Sequence, residues 1–383
     1  MTGISKAAEA RGYTVYNAYP WSRNCRPREK NDIVICGSLL NRVNQKLAYI
    51  TGLNGCFAVA RTARFLSRLD IIKPDILHFH NLHNSYLNLP MLFRYVKKRG
   101  VRVIWTLHDC WSMTGHCPFF TFAGCDRWKT GCGSCPQLPV YPAALIDRTR
   151  YMWNKKKKWF TGVPDLTIVT PSLWLSGLVR QSFLSCYPVK VINNGIDVGV
   201  FRPTASGFRE EHGISPDDFM LLGVAFDWSV YKGLDVFAEL AKRLPGKFRI
   251  VLVGIDEKAE SALPKGVVCV RRTADRDELA GIYSAADLFV NPTREDNFPT
   301  VNIEALSCGT PVVTFDTNGS PEIIDETCGS VVPYGDTDAM EKEIRRLAEE
   351  KPYSRESCVR RAGLFRRDEC FEKYAELYDE QGE

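Results

Sequence analysis

The sequence predicts an α/β protein with two doubly wound domains, each built on a parallel sheet. Short apolar segments with the composition of buried strands alternate with helical segments in both halves of the chain. Between the halves, Val189–Pro203 carries an Asn-Gly turn and a proline, which is typical of a connection between domains. With 383 residues, the chain has the length of two ordinary domains.

The first half contains a predicted βαβ unit: strand Pro74–His80, helix Leu89–Arg99 and strand Val101–Leu107. Ahead of it, Thr2–Arg11 is a predicted helix and Tyr13–Tyr19 a predicted strand. Because a doubly wound domain normally opens with a strand and a glycine-rich loop, the first strand of this domain is missing from the pattern. We expect about 15 further residues upstream in the natural gene, from usual strand and loop lengths. The alternative is a fold variant that lacks the strand.

The second half repeats the alternation of strands and helices. Its predicted elements are strands Phe219–Ala225, Phe248–Gly254, Val267–Val270, Leu288–Asn291 and Pro311–Phe315, and helices Leu234–Arg243, Asp277–Asp287, Glu341–Glu349 and Asp368–Glu380. We expect domains over residues 1–200 and 201–365, and a C-terminal helix over 366–383 that crosses back to the first domain.

Composition and charge exclude several classes of protein. The hydrophobic share of 45% and the charged share of 25% are average for a globular protein. The net charge of +5 is too small to support a nucleic-acid partner. No apolar window is long enough for a spanning helix, and the first residues lack a signal-peptide pattern, so we expect a cytoplasmic protein.

The most informative segment runs from Leu288 to Ile324, LFVNPTREDNFPTVNIEALSCGTPVVTFDTNGSPEII. It predicts a strand, a polar loop, a helix that begins near Pro299, and a second strand. Proline suits the first turn of a helix, so the free amides that follow it form an end that attracts phosphate. Glu304 lies four residues after Thr300 on one helix face, and Asp296 precedes the helix. Two carboxylates beside this end predict contacts with ribose or sugar hydroxyls, although an isolated D-x7-E spacing more often marks a solvated loop.

This segment resembles the nucleotide-sugar site of the retaining glycosyltransferases of family 4, which have the two-domain GT-B fold with a cleft between the domains and an E-x7-E motif. In the alignment the two acids fall on Asp296 and Glu304, with Glu295 one residue early, which leaves open which acid touches the transferred sugar. The resemblance implies that Glu304 binds the ribose and Asp296 the donor sugar. It also implies a donor-binding set: Glu295, Asn297, Phe298, Pro299, Thr300, Gly233 and Arg271.

Two further positions extend the resemblance. Lys232 and Gly233 match the Lys-Gly of the family's G-R-x5-K-G motif, so Lys232 would meet the donor diphosphate. The arginine of that motif is replaced by Phe226. His108 follows a predicted strand of the first domain, and the resemblance implies that it faces acceptor and donor sugar. The H-x-H-x2-H group at His78, His80 and His83 indicates a structural or acceptor-lining role more than a metal site.

A cysteine-rich loop is predicted over residues 108–142, and it resembles that of a subgroup that makes exopolysaccharide or capsule. Cys117, Cys125, Cys132 and Cys135 either form a closed structural zinc site or pack as reduced thiols against aromatic residues. After it, the segment 148–160 combines a lysine run with Trp153, Trp159 and Phe160. It predicts a solvated helix face or a helix that rests on an anionic membrane surface.

Together these features predict transfer of a sugar from a UDP- or GDP-linked donor to a saccharide or lipid-linked acceptor in surface polysaccharide synthesis. The resemblance implies retention of configuration, assistance by Lys232 without a divalent metal, and a protein that is cytoplasmic or peripheral on the inner membrane face. Two alternatives stay open: a sugar-nucleotide epimerase of the same fold, and an inactive sugar-nucleotide-binding subunit.

Overall fold

The structure is a computed structural model, and it describes residues 2–21 and 28–380. The chain divides into two compact units. The first contains the residues up to Ile192 together with those from Phe371 onward, and the second runs from Asn193 to Cys370.

Helices and strands alternate through the first unit. Its elements are α1 (Thr2–Ala10), β1 (Asn17–Tyr19), β2 (Asp32–Val34), α2 (Ser38–Thr51), α3 (Val59–Ile72), β3 (Ile76–Phe79), α4 (Leu89–Arg99), β4 (Arg102–Thr106), α5 (Thr149–Phe160), β5 (Leu166–Thr170), α6 (Leu173–Arg180) and β6 (Val189–Val191). Helix α4 has the predicted bounds because Asn88 caps its first turn through Met91 N and Gly100 ends it in a left-handed conformation.

The strands of this unit form two parallel sheets. β1 pairs with β2, and β3, β4, β5 and β6 form a four-stranded sheet in that order. Within the described residues, β1 and β3 are not hydrogen-bonded to each other. One apolar core nevertheless joins the two sheets, because Ile33 of β2 and Phe79 of β3 belong to the same cluster of buried side chains.

The second unit has the same alternation. Its elements are α7 (Phe208–Glu211), β7 (Phe219–Val224), α8 (Leu234–Arg243), β8 (Phe248–Val253), α9 (Glu257–Glu260), β9 (Val268–Val270), α10 (Arg276–Ala285), β10 (Leu288–Asn291), α11 (Thr300–Ser307), β11 (Val312–Phe315), β12 (Gly329–Val332), α12 (Thr337–Glu350) and α13 (Arg355–Ala362). Helix α14 (Arg367–Asp379) starts in this unit and continues into the first.

The six strands of the second unit form one parallel sheet in the order β12-β11-β10-β7-β8-β9. β7 and β10 are neighbours in its middle, with Leu288 opposite Leu221. Because the strands are parallel, the loops that follow β7 and β10 leave the same edge of the sheet, and ligands of doubly wound sheets bind at this edge. The sheet topology therefore brings the segment around Lys232 next to the segment around Asp296.

The structure corrects one prediction about the first unit and adds two helices to it. The predicted strand Tyr13–Tyr19 is paired only over Asn17–Tyr19, and helices α2 and α3 were not predicted. In helix α5, Trp153 and Phe160 are buried and Trp159 is half-buried, whereas Tyr151 and the lysines at 157 and 158 are exposed. The buried aromatic side chains of α5 are therefore core residues, and contact of its exposed lysine face with a membrane stays a prediction. No helix in the described part of the chain is long and apolar enough to cross a bilayer.

Candidate active site

Two loops of the second unit are joined at the sheet edge. Arg294, in the loop between β10 and α11, donates two hydrogen bonds to the loop between β7 and α8. Its backbone N donates to Tyr231 O (2.8 Å), and its guanidinium donates to Val230 O (2.6 Å). The same guanidinium makes two hydrogen bonds with the Asp235 carboxylate, at 2.7 and 2.8 Å. A bidentate pair fixes orientation as well as distance. Arg294 therefore holds the two loops in one register.

This register brings Lys232 and Asp296 together. The Lys232 Nζ donates to Asp296 Oδ2 at 2.6 Å, and both side chains keep about a third to a quarter of their surface in solvent (35% and 24%). Gly233 makes the approach feasible: it has φ +75°, and a Cβ at this position would lie 2.5 Å from the carbonyl oxygen of Pro292. The cation and the first acid of the predicted motif thus form an ion pair at the surface of the sheet edge.

The second acid of the motif, Glu304, points from α11 towards α10. Tyr283 OH donates to Glu304 Oε2 at 3.0 Å, and the Thr300 hydroxyl also bonds the carboxylate. Burial raises the pKa of Glu304, and the two hydroxyls and the nearby Arg276 offset part of that rise. A carboxylate offers about four acceptor positions, so these two donors leave acceptor capacity for hydroxyls of a ligand.

The two neighbouring acids of the loop occupy different environments. Glu295 is buried (5% exposed) and accepts a hydrogen bond from Asn318 Nδ2 at 3.3 Å. Asp296 keeps solvent contact beside Lys232. Of the two acids, only Asp296 therefore combines exposure with proximity to the predicted diphosphate cation.

The remaining donor-binding candidates of this segment shape the loop. Phe298 is buried and packs against Phe365 with ring centroids 5.6 Å apart, and Asn297 is buried as well. Pro299 has an extended backbone (φ −70°, ψ 109°) and occupies the N-cap position, so α11 begins at Thr300, one residue later than predicted. These residues anchor the start of α11 in the core.

Arg271 lies apart from this group. It follows the edge strand β9 and forms ion pairs with Glu260 (3.1 Å) and Glu257 (3.6 Å). Phe226, at the position of the missing arginine, follows β7 and is 99% exposed. The structure places both at the carboxyl ends of strands but gives neither a contact with Lys232, Asp296 or Glu304.

His108 belongs to the first unit and lies just beyond β4, as predicted. Its Nε2 is 3.0 Å from Nδ1 of His80, and the two rings are stacked with centroids 5.3 Å apart. The surrounding protein limits the hydration of both rings and lowers the pKa of each. The contact with His80 fixes the orientation of His108, a partnership that the 28-residue separation does not reveal.

The three histidines of the H-x-H-x2-H group have different hydrogen-bond partners, His80 being bonded to His108. His78 contacts the hydroxyls of Thr106 and Tyr378 at 2.8 and 2.7 Å, and its ring lies tilted against the ring of His80 with centroids 4.3 Å apart. His83 instead contacts Asp109 at 3.0 Å. Within the described residues, no three histidine, cysteine or acidic side chains are grouped to hold a metal ion.

The four cysteines of the predicted zinc set line one small cavity together with His116 and Trp128. The Cys117 and Cys135 side chains are hydrogen-bonded, and Gly115 N donates to Cys132 Sγ at 3.2 Å. Whether they bind zinc stays a prediction.

Beside this cavity, Lys156 is fully buried, a feature that the lysine run did not predict. Its Nζ donates to Trp111 O at 2.7 Å and lies 3.3 Å from the centroid of the Trp111 ring. Burial lowers the pKa of Lys156 to about 7, although the nearby groups Cys132, Cys117 and Asp109 oppose the shift.

Two family models match the chain. The model described as Glycosyltransferase Family 4 matches residues 1–200, and the one described as Glycosyl transferases group 1 matches residues 218–350. The chain belongs to glycosyltransferase family 4, as the motif around Asp296 and Glu304 predicted.

Two relatives illustrate this membership. A protein named as colanic acid biosynthesis glycosyl transferase WcaC, from Escherichia coli K12, is 31% identical over 276 residues, which cover 68% of this chain and 64% of the relative. A D-inositol 3-phosphate glycosyltransferase from Mycobacteroides abscessus is 31% identical over 194 residues, which cover 46% of this chain and 43% of the relative. The chain thus matches about two fifths to just under two thirds of the length of these relatives.

Solved structures resemble the whole chain in fold. Sucrose-phosphate synthase from Thermosynechococcus elongatus superposes with a TM-score of 0.71 at 19% identity, covering 98% of this chain and 90% of that protein. WaaG, a glycosyltransferase involved in lipopolysaccharide biosynthesis, gives 0.62 at 16% identity, covering 99% and 95%. HepE from Anabaena, in complex with UDP, gives 0.60 at 14% identity, covering 83% and 82%. The predicted GT-B fold is confirmed.

Proposed function

We propose that this protein transfers a sugar from a nucleoside-diphosphate donor to a saccharide or lipid-linked acceptor in surface polysaccharide synthesis, with retention of anomeric configuration. The observation that carries the proposal is the Lys232–Asp296 pair, which lies just ahead of α11, the helix of Glu304, at the sheet edge where doubly wound domains bind nucleotides. Family membership supports the transfer reaction, and the UDP and UDP-glucose complexes of HepE support a nucleotide-sugar donor.

Each residue at this edge has a chemical task in the proposed reaction. Glu304 accepts hydrogen bonds from ribose hydroxyls through the acceptor positions that Tyr283 and Thr300 leave. The Lys232 ammonium and the first amides of α11 offset the charge that develops on the departing diphosphate. Asp296 orients Lys232 and accepts hydrogen bonds from the donor sugar.

Retention follows in this proposal from a front-face path. The departing phosphate takes the proton of the acceptor hydroxyl as the new glycosidic bond forms on the same face of the sugar, so the nucleoside diphosphate leaves protonated and no covalent glycosyl-enzyme forms. His108, held by His80, is the candidate contact for the reacting sugars in the first unit. No divalent metal is required, because Lys232 supplies the positive charge.

The test is donor turnover. The 383-residue chain is incubated with UDP- and GDP-sugars, with and without saccharide acceptors, and nucleoside diphosphate release is measured. We expect acceptor-dependent release, loss of most of it in Lys232→Met, and no change in Lys129→Met, which breaks a comparable surface ion pair of 3.0 Å far from β10 in sequence.

Three outcomes separate the alternatives. Acceptor-stimulated release with a glycosylated product supports the proposal, and NMR of the new linkage distinguishes retention from inversion. Formation of a free epimer without glycosylated product would identify an epimerase. Binding of UDP or GDP with no turnover of any donor would identify an inactive subunit, the alternative that the exposed Phe226 in place of an arginine favours.

A further inference from the structure

Helix α2 has its apolar and polar faces reversed relative to a helix packed on a core. Leu39, Val43, Leu47 and Ile50 follow one another at spacings of four, four and three residues, and therefore line one face. All four are exposed, and Leu39 has 76% of its surface in solvent. The side chains that α2 buries are Asn44 and Ala48. A core-facing helix would bury the leucines and expose the asparagine.

The exposed face continues beyond α2. Leu145 N donates to Tyr49 O at 2.8 Å, which joins the segment before α5 to the end of α2. Leu145 is 59% exposed and Ile146 is exposed as well. These two residues, together with Leu39, Leu40, Val43, Leu47 and Ile50, form a continuous patch that we call the α2 surface. Contiguous apolar patches of this kind mark interaction sites, whereas single exposed apolar residues do not.

The charged residues of α2 itself are all basic. Arg42 and Lys46 lie one residue before Val43 and Leu47, both are exposed, and neither forms an ion pair within the described residues. Between Asp32 and Asp70 the sequence has five arginines and lysines and no acidic residue. Asp147, which follows Ile146 in the chain, accepts hydrogen bonds from the backbone amides of Thr149 and Cys135.

We infer that the α2 surface docks on an anionic lipid bilayer. An apolar stripe flanked by unpaired cations on one helix matches the boundary between acyl chains and acidic headgroups: the leucines enter the apolar layer, and the arginine and lysine reach the phosphates. A protein partner for this apolar and basic surface would need an apolar groove with acidic residues beside it. A second copy of this chain offers none at this patch, because the patch itself is basic and would repel its equivalent.

This inference deepens the proposed function by placing the protein where a lipid-linked acceptor resides, and it adds a membrane contact at α2 to the one predicted for α5. The biological role of docking rests on the proposed function, but docking itself does not. Docking itself is measured without donor or acceptor, so failure of transfer and failure of docking are distinguishable.

The test is co-sedimentation with vesicles of phosphatidylcholine alone or mixed with phosphatidylglycerol. We expect the wild-type chain to bind the mixed vesicles and to bind them less as salt rises. The triple variant Leu39→Gln, Val43→Gln, Leu47→Gln should lose binding by about tenfold or more. The matched control Ile71→Gln alters a side chain that is 80% exposed on α3 beside Asp70, and it should bind as wild type does.

A second pair of variants tests the charges. Arg42→Glu with Lys46→Glu should abolish the preference for phosphatidylglycerol, whereas Lys242→Glu with Lys342→Glu, which reverses two exposed charges of the second unit, should leave the preference unchanged or nearly so. Because all these side chains are exposed, circular dichroism melts should coincide with wild type. Wild-type binding to neither vesicle, or unchanged binding of the triple variant, would overturn the inference. So would a dimer in analytical ultracentrifugation that the triple variant abolishes, since the α2 surface would then be covered by a second copy.

Discussion

Replacing Glu304 by glutamine should weaken donor binding without destabilising the fold. Glutamine keeps the length and shape of the side chain, and its amide oxygen still accepts the hydrogen bond from Tyr283. The change removes the negative charge that ribose hydroxyls would meet. It therefore tests the role proposed for Glu304 without opening a cavity in α11.

The substitution should change donor affinity and fold stability in opposite directions. A hydrogen bond to an ionised acceptor contributes roughly 1 to 1.5 kcal/mol more than one to a neutral acceptor, so two ribose hydroxyls lose about 2 to 3 kcal/mol, or roughly 30- to 150-fold in donor Kd. Stability should move the other way or not at all. Because burial raises the pKa of Glu304 in the fold, its ionised form is disfavoured there relative to the unfolded chain, and at neutral pH that charge lowers the free energy of unfolding.

The assay measures UDP and GDP affinity by calorimetry and Tm by melting, for wild type, E304Q and Tyr283→Phe. Tyr283→Phe is the matched comparison, because it keeps the charge and removes a buried donor, which should lower stability by about 1 to 3 kcal/mol. If E304Q lowers Tm and leaves nucleotide affinity unchanged, Glu304 is a structural residue and the site assignment is wrong.

Three further predictions follow from the buried titratable groups. Donor affinity should fall on acidification at a pH above that typical of a glutamate, since the pKa of Glu304 is raised, and E304Q should lack this dependence when Kd is measured across pH. Elemental analysis of protein purified without a metal column should find about one zinc per chain if the thiols bind it, and Cys132→Ser should abolish that content and lower Tm, whereas Cys186→Ser, at an exposed thiol, should change neither. Because burial lowers the pKa of Lys156 to about 7, the unfolded chain binds one more proton than the folded chain between this pKa and the ordinary lysine pKa of 10.5. The free energy of unfolding of wild type relative to Lys156→Met should therefore rise with pH, by on the order of 2 kcal/mol from about pH 7 to about pH 9, in urea titrations at the two pH values. A wild-type curve parallel to that of the variant would mean that Lys156 is not protonated differently in the two states.

The sequence by itself determined the elements around the site. Strand β10 and helices α4 and α8 have the predicted bounds. The spacing of their apolar residues and the glycines, prolines and lysines near their ends are local signals, which act between residues close in the chain. The motif acids and Lys232 were also found from sequence, since the resemblance fixes their positions along the chain. Local signals of this kind survive folding unchanged.

The tertiary structure decided which of these side chains meet and which are buried. The Lys232–Asp296 pair, the Tyr283–Glu304 bond and the His80–His108 contact join residues 64, 21 and 28 positions apart, and these distances depend on which strands become neighbours. The two amphipathic helices make the same point. α5 buries Trp153, Phe160 and one lysine, whereas α2 exposes its leucines, because the burial of a helix face is decided by the elements that pack against it and not by the periodicity of its own residues.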